Sequence, residues 1–226
     1  LPEIRLLAAE ESFALDLRLQ PRRPVVSQGD NGLSRKGASP GNASHYYSVT
    51  RLQTTGVVRV GGVIHEVTGS SWFDREWSTS ALEPGQVGWD WFSLQLSDGR
   101  DLMLYLMRRA DLTNDPVSSG TVIESDGSSI HLRKADFDVR VLDRWRSREG
   151  VVYPSRWRIR IPDHAIDLTV TPLVADQELR TQGTTGVTYW EGAVTAVGRL
   201  RDRAVRGRGY LEMTGYVGRP MSEMFR

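Results

Sequence analysis

Apolar and polar residues alternate along much of this chain. Phe13, Leu15, Leu17 and Leu19 are spaced by Ala14, Asp16 and Arg18, and Phe137, Val139 and Val141 by Asp138 and Arg140. Trp157, Ile159 and Ile161 are spaced by Arg158 and Arg160, and Ile166, Leu168 and Val170 by Asp167 and Thr169. A period of two puts one face of a strand in a core and the other in water. Clean alternation of this kind marks antiparallel sheet, since parallel strands covered on both faces read as unbroken apolar runs. Asp98-Gly99, Gly61-Gly62 and Asp126-Gly127 each follow a run of strand character, and such pairs supply the positive φ of tight hairpins. Helix is expected only as short pieces, within residues 6–11 and at the C-terminal end. Two stretches break the pattern. Residues 21–43, rich in Gly, Ser, Asn and Pro, lack any period, and residues 109–119 are polar and contain Asn114-Asp115-Pro116. The second stretch divides the chain into two β units, 1–112 and 113–226. Many regular strands joined by turns indicate barrels or sandwiches.

Composition narrows the function classes. The 226 residues suffice to bury a sizeable core. Lys and Arg number 29 against 28 Asp and Glu, a net charge of +1 that gives no global attraction to nucleic acid. Arg199, Arg201, Arg203, Arg206 and Arg208 cluster between two strand-like runs and read as a solvated hairpin tip. With no cysteine, disulfides and thiolate metal sites are excluded. No apolar run approaches the ~20 residues of a membrane-spanning helix. His45, His65, His131 and His164 are scattered without metal-ligand spacing, so neither a metal nor a cofactor is expected.

Four strings carry candidate chemistry. Gly37-Ala38-Ser39-Pro40-Gly41 has the letter pattern of a serine-hydrolase elbow. Such an elbow needs a backbone N–H from the residue after the nucleophile, and Pro40 has none. In Ser71-Trp72-Phe73-Asp74-Arg75-Glu76-Trp77, strand parity puts Trp72, Asp74 and Glu76 on one face and Phe73, Arg75 and Trp77 on the other. Two acids beside an indole fit either a surface strand or a cavity wall in which aromatic bulk raises a carboxyl pKa. In Gly88-Trp89-Asp90-Trp91-Phe92, Trp89 and Trp91 share a face with Ser93 and Gln95, as on the wall of a ligand-holding barrel or in ordinary core packing. His45-Tyr46-Tyr47 opens a further strand, with His45 and Tyr47 on one face.

Together with Asp176-Gln177-Glu178, Tyr189-Trp190-Glu191-Gly192 and the stretch Gly209-Tyr210-Leu211-Glu212-Met213-Thr214-Gly215-Tyr216, these strings resemble the AttH/CrtC-like lipocalin family over nearly the whole chain. That family includes carotenoid 1,2-hydratases, bacterial proteins labelled secreted hydrolases and fungal cyclisation catalysts. The resemblance implies an all-β fold of two consecutive lipocalin-like antiparallel barrels around a ligand cavity. It also implies that the first barrel lacks N-terminal strands, supplied by an upstream part of the same protein or by another chain. In the carotenoid hydratases an aspartate in an aromatic-x-Asp string protonates an alkene, with a His-x-aromatic string upstream. Trp72-Phe73-Asp74 matches the first string, with Trp where a tyrosine is expected, and His45-Tyr46-Tyr47 matches the second.

The resulting expectation is acid-catalysed hydration, isomerisation or cyclisation of an isoprenoid or polyene-like substrate. The catalytic candidates are Asp74, His45 and Glu76; Tyr47, Trp72, Trp89 and Trp91 line the substrate. A non-catalytic carrier of apolar small molecules and a secreted hydrolase are the alternatives. The burial of Asp74 discriminates the first alternative. The second needs a nucleophile or metal-bound water that the sequence does not display. The family's frequent export signals make the periplasm or the exterior the expected location.

Overall fold

The structure, a computed structural model, describes residues 1–78, 82–111, 113–181, 183 and 186–218. Among them are sixteen strands: β1 Ile4–Ala9, β2 Phe13–Pro21, β3 Val26–Ser27, β4 Leu33–Arg35, β5 Ala43–Val60, β6 Val63–Trp77, β7 Gln86–Leu96, β8 Asp101–Arg109, β9 Ser119–Ile123, β10 Ser129–Arg133, β11 Asp138–Arg146, β12 Val152–Ile161, β13 Ile166–Pro172, β14 Glu178–Arg180, β15 Thr188–Leu200 and β16 Arg203–Met213. All pairings between these strands are antiparallel. The three tight hairpins fall where the glycine pairs put them, and the arginine cluster brackets the β15–β16 turn. Residues 6–11, expected as a short helix, instead form most of β1 and the turn after it.

The strands make two sheets. In the first, the 18-residue β5 pairs along one side with β2, β3 and β4 and along the other with β6, while β1 lies outside β2. The second sheet runs β10-β9-β8-β7-β16-β15-β13-β12-β11, with β14 on β15. It curls around one core, because Leu132 of β10 and Val122 of β9 join the same buried cluster as Tyr153, Trp157 and Ile159 of β12. No ladder among the described residues joins β10 to β11, or gives β1 and β6 a second neighbour. β7 and β8, grouped with the first unit by a division at residue 112, hydrogen-bond instead into the second sheet, so the sheets change over between Trp77 and Gln86.

β8 positions everything that follows. Leu102, Leu104 and Leu106 point into the curled core, while Met103, Tyr105 and Met107 point the other way, onto the first sheet. Both faces are buried, so this antiparallel strand reads in sequence as the continuous run Leu102-Met103-Leu104-Tyr105-Leu106-Met107. The seam between the sheets is stitched by polar contacts. Trp91 Nε1 donates to Tyr46 Oη at 3.1 Å, Tyr105 Oη to the Arg35 carbonyl at 2.7 Å, and Gln95 Nε2 to the Thr50 carbonyl at 2.6 Å.

Candidate functional site

The seam holds the candidate chemistry. On the first sheet, Ser48 lies opposite Asp74 and Tyr46 opposite Glu76, so Tyr46, Ser48, Asp74, Glu76 and Trp72 share one face. Facing them from the second sheet are Trp89 and Trp91 of β7, Met103, Tyr105 and Met107 of β8, and Glu212 of β16, the cross-strand partner of Trp91. Trp72 and Trp91 meet edge to face, with centroids 6.4 Å apart. Gly88 lets the chain approach closely here: a Cβ on it would lie 2.4 Å from the Thr214 carbonyl oxygen. The neighbouring Trp89 is pinned by its N–H bond to Thr214 Oγ1 at 3.1 Å.

Asp74 is half-buried by surface and closely ringed by protein. Its Oδ1 accepts from the Ser48 hydroxyl and from Trp72 Nε1 at 3.0 Å. Burial pushes the carboxyl up to about 6; the hydrogen bonds from Ser48, Trp72 and Tyr46 oppose this, and the Glu76 charge adds to it. Tyr46 keeps its proton well above the ordinary phenol range, through burial and then the nearby Asp74 and Glu76 charges. Glu212 accepts from Trp89 Nε1 at 2.8 Å. Burial, reinforced by Glu191, Asp74 and Glu76, raises it to about 7 against that hydrogen bond. Glu76 differs. Lys36 Nζ sits 2.6 Å from its carboxylate and 4.2 Å from the Tyr105 ring centroid, and the Ser44 hydroxyl donates to the same oxygen.

Of the sequence-derived site residues, the seam gathers Asp74, Glu76, Trp72, Trp89 and Trp91. His45 and Tyr47 fall on the opposite face of the first sheet. His45 stacks on Trp77 at 5.4 Å, and Tyr47 contacts Phe73 and Trp77 with centroids 6.2 Å away in each case. The reason is a β-bulge. Counted out from the Gly61-Gly62 turn, Val60 faces Val63 and Leu52 faces Ser71, a register that would set Val49 against Asp74 with Tyr47 and His45 on the same side. Between Val49 and Leu52 the ladder slips by one, and a one-residue slip turns every later side chain to the other face. Tyr46 and Ser48 thereby replace Tyr47 and His45 beside the acid. Both residues of the bulge are held by the fully buried Asp101 of β8, which accepts from Thr50 Oγ1 at 2.7 Å and Arg51 Nε at 2.8 Å.

Sequence reasoning missed Tyr46, Ser48, Lys36 and Glu212 as site residues. For Glu212 a signal existed: it lies in a family-like string and alternates with Leu211 and Met213, both core residues. Ser39 lies away from the seam. The backbone N–H groups of Ala38 and Ser39 donate to the Glu83 carboxylate at 3.1 and 2.7 Å, so that loop already holds an anion of its own. Among the described residues no group of three or more His, Asp or Glu is arranged to hold a metal ion. None of their helices is long and apolar enough to cross a membrane.

Comparison with known proteins agrees with this architecture. The AttH-like family profile matches residues 1–216. Kievitone hydratase of Fusarium solani subsp. phaseoli is 24% identical over 216 residues, covering 92% of this chain and 59% of that protein. An AttH crystal structure from Nitrosomonas europaea superposes with a TM-score of 0.88 at 36% identity, over 96% of this chain and 65% of that one. The crystal structure of kievitone hydratase from Nectria haematococca superposes with a TM-score of 0.78 at 20% identity, over 95% and 65%, a likeness of fold. The chain thus spans less than two thirds of each of these proteins. It has the all-β, lipocalin-like fold and belongs to the AttH-like family.

Proposed function

We propose that the seam is the active site of an acid catalyst that adds water across a carbon–carbon double bond of an apolar, isoprenoid or polyene-like substrate, or rearranges the cation formed on the way. One observation carries the reading: Asp74 is half-buried beside the Trp72 indole and the Tyr46 phenol, with no cation on it among the described residues, and burial raises its carboxyl to about 6. At pH 7 about a tenth of the molecules then carry the acid form, against about one in a thousand for an ordinary aspartate. Asp74 gives its proton to one alkene carbon, forming a C–H bond and leaving a cation on the other. The ring faces of Trp72, Trp91 and Tyr46 stabilise that cation. A water oxygen bonds to it, and Glu212, in its carboxylate form, takes the proton released; exchange with solvent returns both groups to their starting states. Alkene plus water gives alcohol, and no redox partner is consumed. The hydratase among the relatives supports this class of reaction.

The test is turnover of a panel of polyenes and prenylated aromatics in heavy-oxygen water, read by mass. Incorporation of one labelled oxygen is expected, with Asp74→Asn lowering the rate ~10²–10⁴-fold, the scale of general acid catalysis. Binding without turnover, unchanged by the substitution, makes the protein a carrier and defeats the proposal.

A further inference from the structure

Three buried side chains lead from the second sheet to Asp74. Thr121 Oγ1 on β9 lies 2.6 Å from Gln28 Oε1, and Gln28 Nε2 lies 2.8 Å from Ser48 Oγ, whose hydroxyl meets Asp74 Oδ1. Thr121, Gln28 and Ser48 are essentially without solvent contact. The Gln28 backbone is fixed too, its N–H donating to the Tyr46 carbonyl at 3.0 Å.

The direction of these bonds follows from chemistry. An ionised carboxylate only accepts, so Ser48 must give its single proton to Asp74. Ser48 Oγ is then left to accept, which requires the NH₂ end of the Gln28 amide to face it. The carbonyl end of that amide therefore faces Thr121, which donates. Every proton in the chain points toward Asp74. A second donor, Trp72 Nε1, also ends on Oδ1.

We propose that Gln28 and Thr121 are positioning residues that act on Asp74 through Ser48, and that this chain, by occupying Oδ1, leaves the transferable proton on Oδ2. The proposal rests on the reading of Asp74 as the acid. It gives the polar residues of the 21–43 segment a task, and it makes the acid's orientation depend on correct docking of the two sheets. The other charged or titratable groups facing Asp74 are Tyr46 from β5, Glu76 from β6 with Lys36 upon it, and Glu212 from β16. They are common to all the variants below.

The experiment is a ¹³C NMR titration of the Asp74 carboxyl carbon in the wild-type chain and in Ser48→Ala, Ser48→Thr, Gln28→Leu, Thr121→Val and Thr121→Ser. A hydrogen bond to a charged group favours the ionised form, so Ser48→Ala should move the midpoint up by about one pH unit or more. Gln28→Leu and Thr121→Val touch Asp74 only through the chain; each should move it up by a few tenths of a unit, as expected when one bond of a polarised series is lost. Ser48→Thr and Thr121→Ser keep the hydroxyls and should leave it in place. If Gln28→Leu and Thr121→Val lower stability yet leave the Asp74 midpoint untouched, their role is structural and the proposal fails. Thr121→Val, the mildest change, decides the matter if Gln28→Leu does not fold. The titration needs no substrate, so its outcome is separate from that of the turnover assay: inactive Asp74→Asn with unmoved midpoints rejects the relay alone, and moved midpoints with fully active Asp74→Asn reject the catalytic reading alone.

Discussion

Asp74→Asn should make the protein more stable at pH 8 and change it little at pH 4. The carboxyl titrates near 3.8 in the unfolded chain and is raised to about 6 in the folded one. A raised acid pKa means that the folded state holds the proton more tightly. Below the unfolded value both states are protonated and the group is neutral in the balance. Between the two values the folded state binds more protons, so stability falls as pH rises. Above about 6 the full penalty persists. It amounts to about 3 kcal/mol at most, and to less in proportion as the open edge of the carboxyl is screened by water. An asparagine keeps the shape, and its amide oxygen can still accept from Ser48 and Trp72, but it never ionises. Urea unfolding of both proteins at pH 4 and pH 8 measures the difference. At pH 4 the two should agree within ~1 kcal/mol; at pH 8 the variant should gain up to ~3 kcal/mol, or several degrees of Tm for a chain of this size. The remaining raised carboxyls are present in both proteins and largely cancel. Equal effects at the two pH values, or a loss at pH 8, would refute the reasoning that Asp74 is a strained, uncompensated acid.

Two further outcomes are expected. Asp101→Asn should cost about 3 kcal/mol in urea unfolding, because it leaves Arg51 and Arg23 facing a neutral group inside the seam; a cost below ~1 kcal/mol would show that the bulge does not depend on it. Ser39→Ala should leave turnover and ligand binding unchanged, and a fluorophosphonate probe should not label Ser39, since the N–H groups of its loop are committed to Glu83; labelling would reopen the hydrolase reading.

The sequence discloses these features unevenly, for physical reasons. Alternation reveals strands with one wet face, so β2, β11, β12 and β13 were legible. It fails for β1, whose residues Arg5–Ala9 are exposed on both faces, so Leu6, Leu7, Ala8 and Ala9 show no period and resemble helix. It fails also for β3 and β4, which at two and three residues are too short to display one. Half of the site was legible because Trp72 and Asp74, like Trp89 and Trp91, sit two apart on single strands. The pairing of strands was not, since an uninterrupted hairpin would put Tyr47 and His45 on the Asp74 side, and the bulge turns them to the opposite face. The slip at Thr50 and Arg51 is enforced by Asp101, fifty residues on in another sheet, and no local pattern encodes such a contact.

Three aspartates of the two-sheet body, Asp74, Asp90 and Asp101, separate structural from chemical acids. Burial pushes all three carboxyls up. Asp90 is answered by Arg108 at 2.9 Å and by Tyr216 Oη at 3.1 Å to each oxygen, and Asp101 by Arg51 at 2.8 Å and Arg23 at 3.4 Å. In both, full positive charges pull the group back toward the ionised state, and the product is a clamp: Asp90 holds the chain end after β16, and Asp101 the bulge. Among the described residues, Asp74 is answered only by hydroxyl and indole donors. Lys36, the cation on the adjacent Glu76, is spent on that carboxylate and the Tyr105 ring. A fold that sought only stability would place an arginine or an apolar residue where Asp74 stands. Leaving an acid there, with its charge uncompensated and aromatic rings around it, costs stability above pH 6 and yields a proton that can be given away near neutrality. That is the condition an alkene-protonating site must meet, and among these three aspartates Asp74 alone meets it.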